Sequence, residues 1–206
     1  MYKKIKSFFL ILLIVVAGGR NVYAANKFDR DFFNLNDIIY YDAGSEKCIP
    51  GGGGSSKLTG DGAPEQIWNF LRGQGFTEEA TAGVMGNFYA ESEYDPAKLQ
   101  TSGPAAGLAQ WESYSEQSGR WLNMANYAKS KGKDWTDLQS QLEWIIKELE
   151  GSDPTTASIL NSRYGGLEGL KKMTDIKSAV EAFETSFERA GIPRWEVRYQ
   201  AADEAY

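Results

Sequence analysis

Leu138, Leu142, Ile145 and Leu149 recur at steps of four, three and four. That spacing lays four apolar side chains on one face of a helix. It predicts an α-helix over 136–150, closed by Gly151. The same period governs most of the chain after residue 61. Pro64 suits a first helical turn, with Ile67, Trp68, Phe70 and Leu71 behind it and Gly73 and Gly75 to stop it. Thr77 caps a second helix, whose first turn carries Glu78 and Glu79, where the helix dipole favours anions. Its apolar face is Ala80, Val84, Met85 and Phe88. Trp121, Leu122, Ala125 and Ala128 mark another helix. Shorter ones are predicted near 155–162 and 166–173. Asp175 opens a further one with Ile176, Ala179, Val180, Phe183 and Phe187, and a last one follows Pro193. The stretch 92–119 breaks the period and reads as loops or a small β-ribbon. The fold class is mainly α, with a small loop or β insertion.

"GGGGSS" (Gly51–Ser56) is a flexible linker by composition. It sets residues 61–206 apart as one domain with a single core. Ahead of it, 25–50 is acidic and aromatic without a helical period, and reads as an extended segment. It is compatible with docking to an envelope-machinery partner. Residues 1–24 have a basic start, a short apolar run over 8–17 and a small residue at Ala24. They read as a secretory signal peptide, the apolar run being short of the ~20 residues of a membrane span. The chain is expected to be secreted or held in the cell envelope, an uncleaved anchor being the alternative. Cys48 is the only cysteine, so no internal disulfide can form.

Without residues 1–24 there are 18 basic against 28 acidic residues, a formal charge of −10. Nucleic-acid binding needs the opposite sign. Histidine is absent. A Ser-His-Asp triad, a Cys-His pair and an imidazole-held catalytic zinc are therefore excluded. No metal or cofactor is expected. Carboxylate chemistry survives, and glycoside hydrolysis is its clearest member.

"GNFYAESEYDP" (Gly86–Pro96) concentrates Glu91, Glu93 and Asp95 where the second helix gives out. Glu91 continues the row Ala80, Val84, Phe88 in the last turn. Partial burial and the negative end of the dipole would both favour an uncharged carboxyl, the form a general acid needs. Glu93 and Asp95 read as loop charges. "GLAQW" (Gly107–Trp111) follows. Gly107 would let backbone approach a ligand, Gln110 could hold a sugar hydroxyl or acetamide, and Trp111 could stack on a pyranose face. Tyr89, Tyr94 and Tyr114 would thicken an aromatic cleft rim.

"GVMGNFYAESEYDPAKLQ" with "GLAQW", "QLEWIIKEL" and "FERAG" resembles the phage tail lysozyme domain family, within the lysozyme and lytic transglycosylase superfamily, over roughly 62–206. The resemblance implies a lysozyme-like helical fold with the insertion beside an active-site cleft. It implies cleavage of the β-1,4 bond between N-acetylmuramic acid and N-acetylglucosamine in peptidoglycan glycan strands. By the same match Glu91 is the catalytic acid, Ser92 supports it at the substrate side and Gln110 is a substrate-binding amide. A second carboxylate is sought among Asp95, Glu93 and Glu112, with Asp95 preferred because a turn could swing it towards the cleft. If none is in place, the substrate's own 6-hydroxyl could attack and give an anhydro product, as in the transglycosylase branch. A non-catalytic wall-binding module is the third reading. The domain is expected to act as a monomer.

Overall fold

The computed structural model describes residues 57–206; the expectations for 1–24, 25–50, the glycine run and Cys48 lie outside the described residues. Among the described residues eight α-helices follow one another: α1 Ala63–Gly73, α2 Glu78–Ser92, α3 Gly119–Ser130, α4 Leu138–Lys147, α5 Pro154–Arg163, α6 Gly166–Lys171, α7 Ile176–Phe183 and α8 Trp195–Ala205. Two single π-helical turns extend α4 and α7, over Glu148–Ser152 and Glu184–Glu188. Among the described residues β-structure is confined to two isolated antiparallel bridges, Leu99 with Ala106 and Ala106 with Trp111. The insertion over 92–119 is thus a loop pinned by single bridges. None of the described helices is long and apolar enough to cross a membrane.

The helix starts obey their caps. Thr77 Oγ1 accepts the Ala80 N–H, and Asp137 and Asp175 accept from Ser140 and Ser178 in the same way. The stripes are core: Ile67, Leu71, Val84, Phe88, Leu142, Ile145, Phe183 and Phe187 are all buried. Phe88 meets Phe183 edge-on at 5.5 Å, and Phe183 stacks on Phe187 at 4.7 Å. Each such ring or branched chain contributes about 1.5–3 kcal/mol by leaving water.

One expectation changes. The sequence gives α2 one apolar face, but Thr81, Gly83, Gly86, Asn87, Ala90 and Ser92 are buried as well as the apolar row. It is the central helix, and α7 and α8 pack directly on it. Two glycines allow the approach. A Cβ on Gly83 would fall 2.5 Å from Ala179 Cβ, and one on Gly86 would fall 2.3 Å from the Arg198 carbonyl oxygen. With their faces flush against backbone, both helices deliver side chains to the C-terminal end of α2.

Candidate active site

The end of α2 opens onto a cleft of about 580 Å³. Its walls include Glu91 from α2, Gln110 and Glu112 from the loop, Glu188 from the second π-helical turn, and Arg194 and Arg198 at the start of α8. The size suits a sugar-sized ligand, and the lining is polar.

Glu91 is partly buried, its side chain 18% exposed. Its partner is a buried cation, where the sequence pointed to an apolar surround: Arg198 Nη2 donates to Glu91 Oε1 at 2.5 Å. Arg198 is itself held on three sides. Nη1 donates to Asn87 Oδ1 at 2.9 Å, and Nε donates to the Pro193 carbonyl. Asn87 in turn donates to the Gly83 and Val180 carbonyls. The glycines and the asparagine of "GVMGN" thus form a socket for one guanidinium. Arg194 donates to the Ala90 carbonyl at 3.1 Å and fixes the last turn of α2. That turn ends because Glu93 and Tyr94 are both left-handed, with φ of 56° and 67°.

A second buried charge network underlies the cleft. Arg120 grips Glu148 through Nε at 2.9 Å and Nη2 at 3.2 Å, and donates to the Phe187 carbonyl at 3.1 Å. Arg120 therefore ties α3 to both π-helical turns. Glu184 accepts the Ala190 N–H at 3.1 Å. Burial pushes its carboxyl above the usual range against the pull of Arg198.

Of the residues singled out in the sequence, Glu91 and Gln110 border this cleft, and so does Glu112. The Gln110 amide nitrogen is engaged by the Lys98 and Gly107 carbonyls. The other assignments need correction. Ser92 is buried and its hydroxyl donates to the carbonyls of Phe88 and Leu108, at 3.1 and 2.8 Å. It ties the helix end to the loop and offers a substrate nothing. Trp111 is 1% exposed and donates its indole N–H to Glu148 Oε2 at 2.8 Å, so it packs in the core and presents no face to a sugar. Gly107, at φ +90°, turns the loop against Trp111 and Gln141. Tyr94 lies against Tyr89 and borders a separate hollow with Trp68 and Met85. Burial first, then the charges of Tyr89 and Glu204, push its hydroxyl up to about 12. Tyr114 packs between Trp121 and Trp135. Asp95 is exposed and caps its own turn by accepting the Ala97 N–H at 2.8 Å, away from the cleft lining. Glu93 pairs with Lys98 at 3.2 Å on the surface.

Arg198 and Glu188 are among the cleft residues that the sequence did not single out. Arg198 sits in a helix with no marked apolar period, and nothing local tells a buried arginine from a solvated one. Glu188 stands one place beyond Phe187 in the run "FERAG", where the π-helical turn rotates it into the cleft. Such turns often occur at functional sites.

A helical domain whose central helix ends in a glutamate at a polar cleft defines the lysozyme-like class. Residues 63–206 match the family model described as phage tail lysozyme, and the chain belongs to that family. Its class is therefore that of lysozyme-type glycosidases, with peptidoglycan as substrate.

Proposed function

We propose that this domain cleaves the β-1,4 bond between N-acetylmuramic acid and N-acetylglucosamine, with Glu91 as general acid. The carrying observation is the carboxyl itself: partly buried, at the end of the central helix, on the cleft, and fixed by a buried arginine. With Oε1 engaged by Arg198, Oε2 is the atom that presents the proton to the leaving glycosidic oxygen. The charged walls supply hydrogen-bond partners for the hydroxyl and acetamide groups of a glycan. Gln110 and Glu112 border the same space and line the substrate's path. Residues 1–24 direct export, and the domain meets its substrate outside the cytoplasm. Residues 25–50 tether it to an envelope partner, and the domain acts as a monomer.

Glu91→Gln keeps the shape and the hydrogen-bond capacity but cannot give up a proton. It is expected to lower the rate of turbidity loss in purified wall suspensions by about 10²–10⁴-fold, with unchanged circular dichroism. Full activity in that variant would remove the assignment. Mass spectrometry of the native products then reads the chemistry: reducing ends follow from attack by water, and anhydro ends from attack by the 6-hydroxyl.

A further inference from the structure

We infer that Glu188 is the second working carboxyl of the cleft and shares a single proton with Glu91. This deepens the reading above and rests on it. Glu188 closes the second π-helical turn and borders the same cleft as Glu91. Its Oε1 is shut off from solvent, with no hydrogen-bond partner. A charged oxygen in that position is costly, whereas a protonated carboxyl there is tolerated. Burial first, then the charge of Glu91, hold the carboxyl well above the usual carboxylate range. The charged groups acting on it come from four other elements: Glu91 on α2, Arg198 on α8, Arg120 on α3 and Glu148 on the first π-helical turn. They are two anions and two cations. Both cations are already committed, Arg198 to Glu91 and Arg120 to Glu148. On its own turn, Glu184 is a further buried acid.

The pair therefore has two arrangements. In the first, Arg198 serves Glu91, as the structure has it, and the proton is assigned to Glu188. In the reacting one, the proton is on Glu91 and the charge on Glu188, within the field of Arg198. Glu91 then gives its proton to the glycosidic oxygen as the bond from that oxygen to the anomeric carbon breaks, the electron pair leaving with the oxygen. Glu188 takes a proton from a water molecule whose oxygen bonds to the anomeric carbon. One water is consumed. The proton ends on Glu188, and Glu91 is left charged beside Arg198, which is the first arrangement. Return of that proton to Glu91 resets the pair. The roles follow the general pattern of two carboxyl groups driven apart by their surroundings.

The test is Glu188→Gln in the full chain, with kcat and KM measured across pH on soluble glycan strands released from peptidoglycan. A one-proton pair gives a bell: the acid limb is arrival of the second proton, the alkaline limb departure of the last. Glu188→Gln is expected to lower kcat about a hundredfold or more, to leave KM within about threefold, and to lose the acid limb. Retention of both limbs, at full or reduced kcat, overturns the pair and leaves Glu188 a packing residue. Should the variant not fold, carboxyl ¹³C NMR of the native protein decides. Two coupled steps seen at both Glu91 and Glu188 support the pair, and independent single steps overturn it. Glu91→Gln separates the levels. Activity surviving there removes Glu91 as the acid and the pair with it, whereas an inactive Glu91→Gln beside a native-like pH profile in Glu188→Gln removes only the pair.

Discussion

At the scale of single residues, the buried carboxyl of Glu188 weighs on stability whatever its part in the proposed pair. Burial, then the charge of Glu91, holds its folded-state carboxyl well above the ordinary value of 4.5 at which the unfolded chain gives up its proton. A folded-state value raised in this way costs nothing below 4.5. The cost grows as pH rises above it, because unfolding then releases the proton. Glu188→Gln should therefore melt higher than the native protein at pH 7, and the two should converge below about pH 4.5. Each kcal/mol regained corresponds to about 2–4 °C in a chain of this size. Differential scanning calorimetry at pH 4 and pH 7 makes the comparison, and a lower Tm for the variant at pH 7 would contradict it. Sites built for chemistry commonly carry such a penalty. Trp111 shows the converse economy: its ring fills the core, and its N–H satisfies Glu148, a buried acid already held by Arg120. Nothing within "GLAQW" signals that partner, which stands 37 residues further along the chain.

Between elements, the decisive contacts are the two flush faces of α2. Gly86→Ala places a methyl 2.3 Å from the Arg198 carbonyl oxygen and 2.8 Å from Ala202 Cβ. Neither is the loose end of a long side chain, so α8 must move. The expected loss is about 1–3 kcal/mol, read from urea denaturation. Gly73→Ala is the control, because a Cβ there meets nothing, and it should be neutral or gain up to about 1 kcal/mol of helix propensity. Equal effects of the two would refute the close-packing account. The helices themselves were legible in the sequence because caps and stripes act locally: Thr77, Asp137 and Asp175 each bond within the first turn they open. All-round burial of α2 was not legible, since glycine and asparagine read as polar or neutral until a neighbouring backbone is known. The π-helical turns were hidden for a related reason. A single inserted residue changes which face Glu188 occupies without altering the apolar period that precedes it.

For the molecule as a whole, the lining of the cleft was half legible: Glu91, at its helix end, and Gln110, in its loop, both border it. Arg198 and Glu188 became visible only when α7 and α8 folded back onto α2. The aromatic rim did not materialise, because Trp111 and Tyr114 were worth more to the core than to a ligand. The export proposal also belongs to this scale. Terminal sequencing of protein recovered from outside expressing cells should begin at Ala25. A retained Met1 would favour the anchored form. The ion pair between Glu91 and Arg198 spans 107 positions of sequence. During synthesis the acidic partner emerges long before the basic one, and no truncated intermediate can hold the carboxyl in place. On the proposed role of Glu91, competence to cut wall polymer thus waits on a residue in the last helix of the domain.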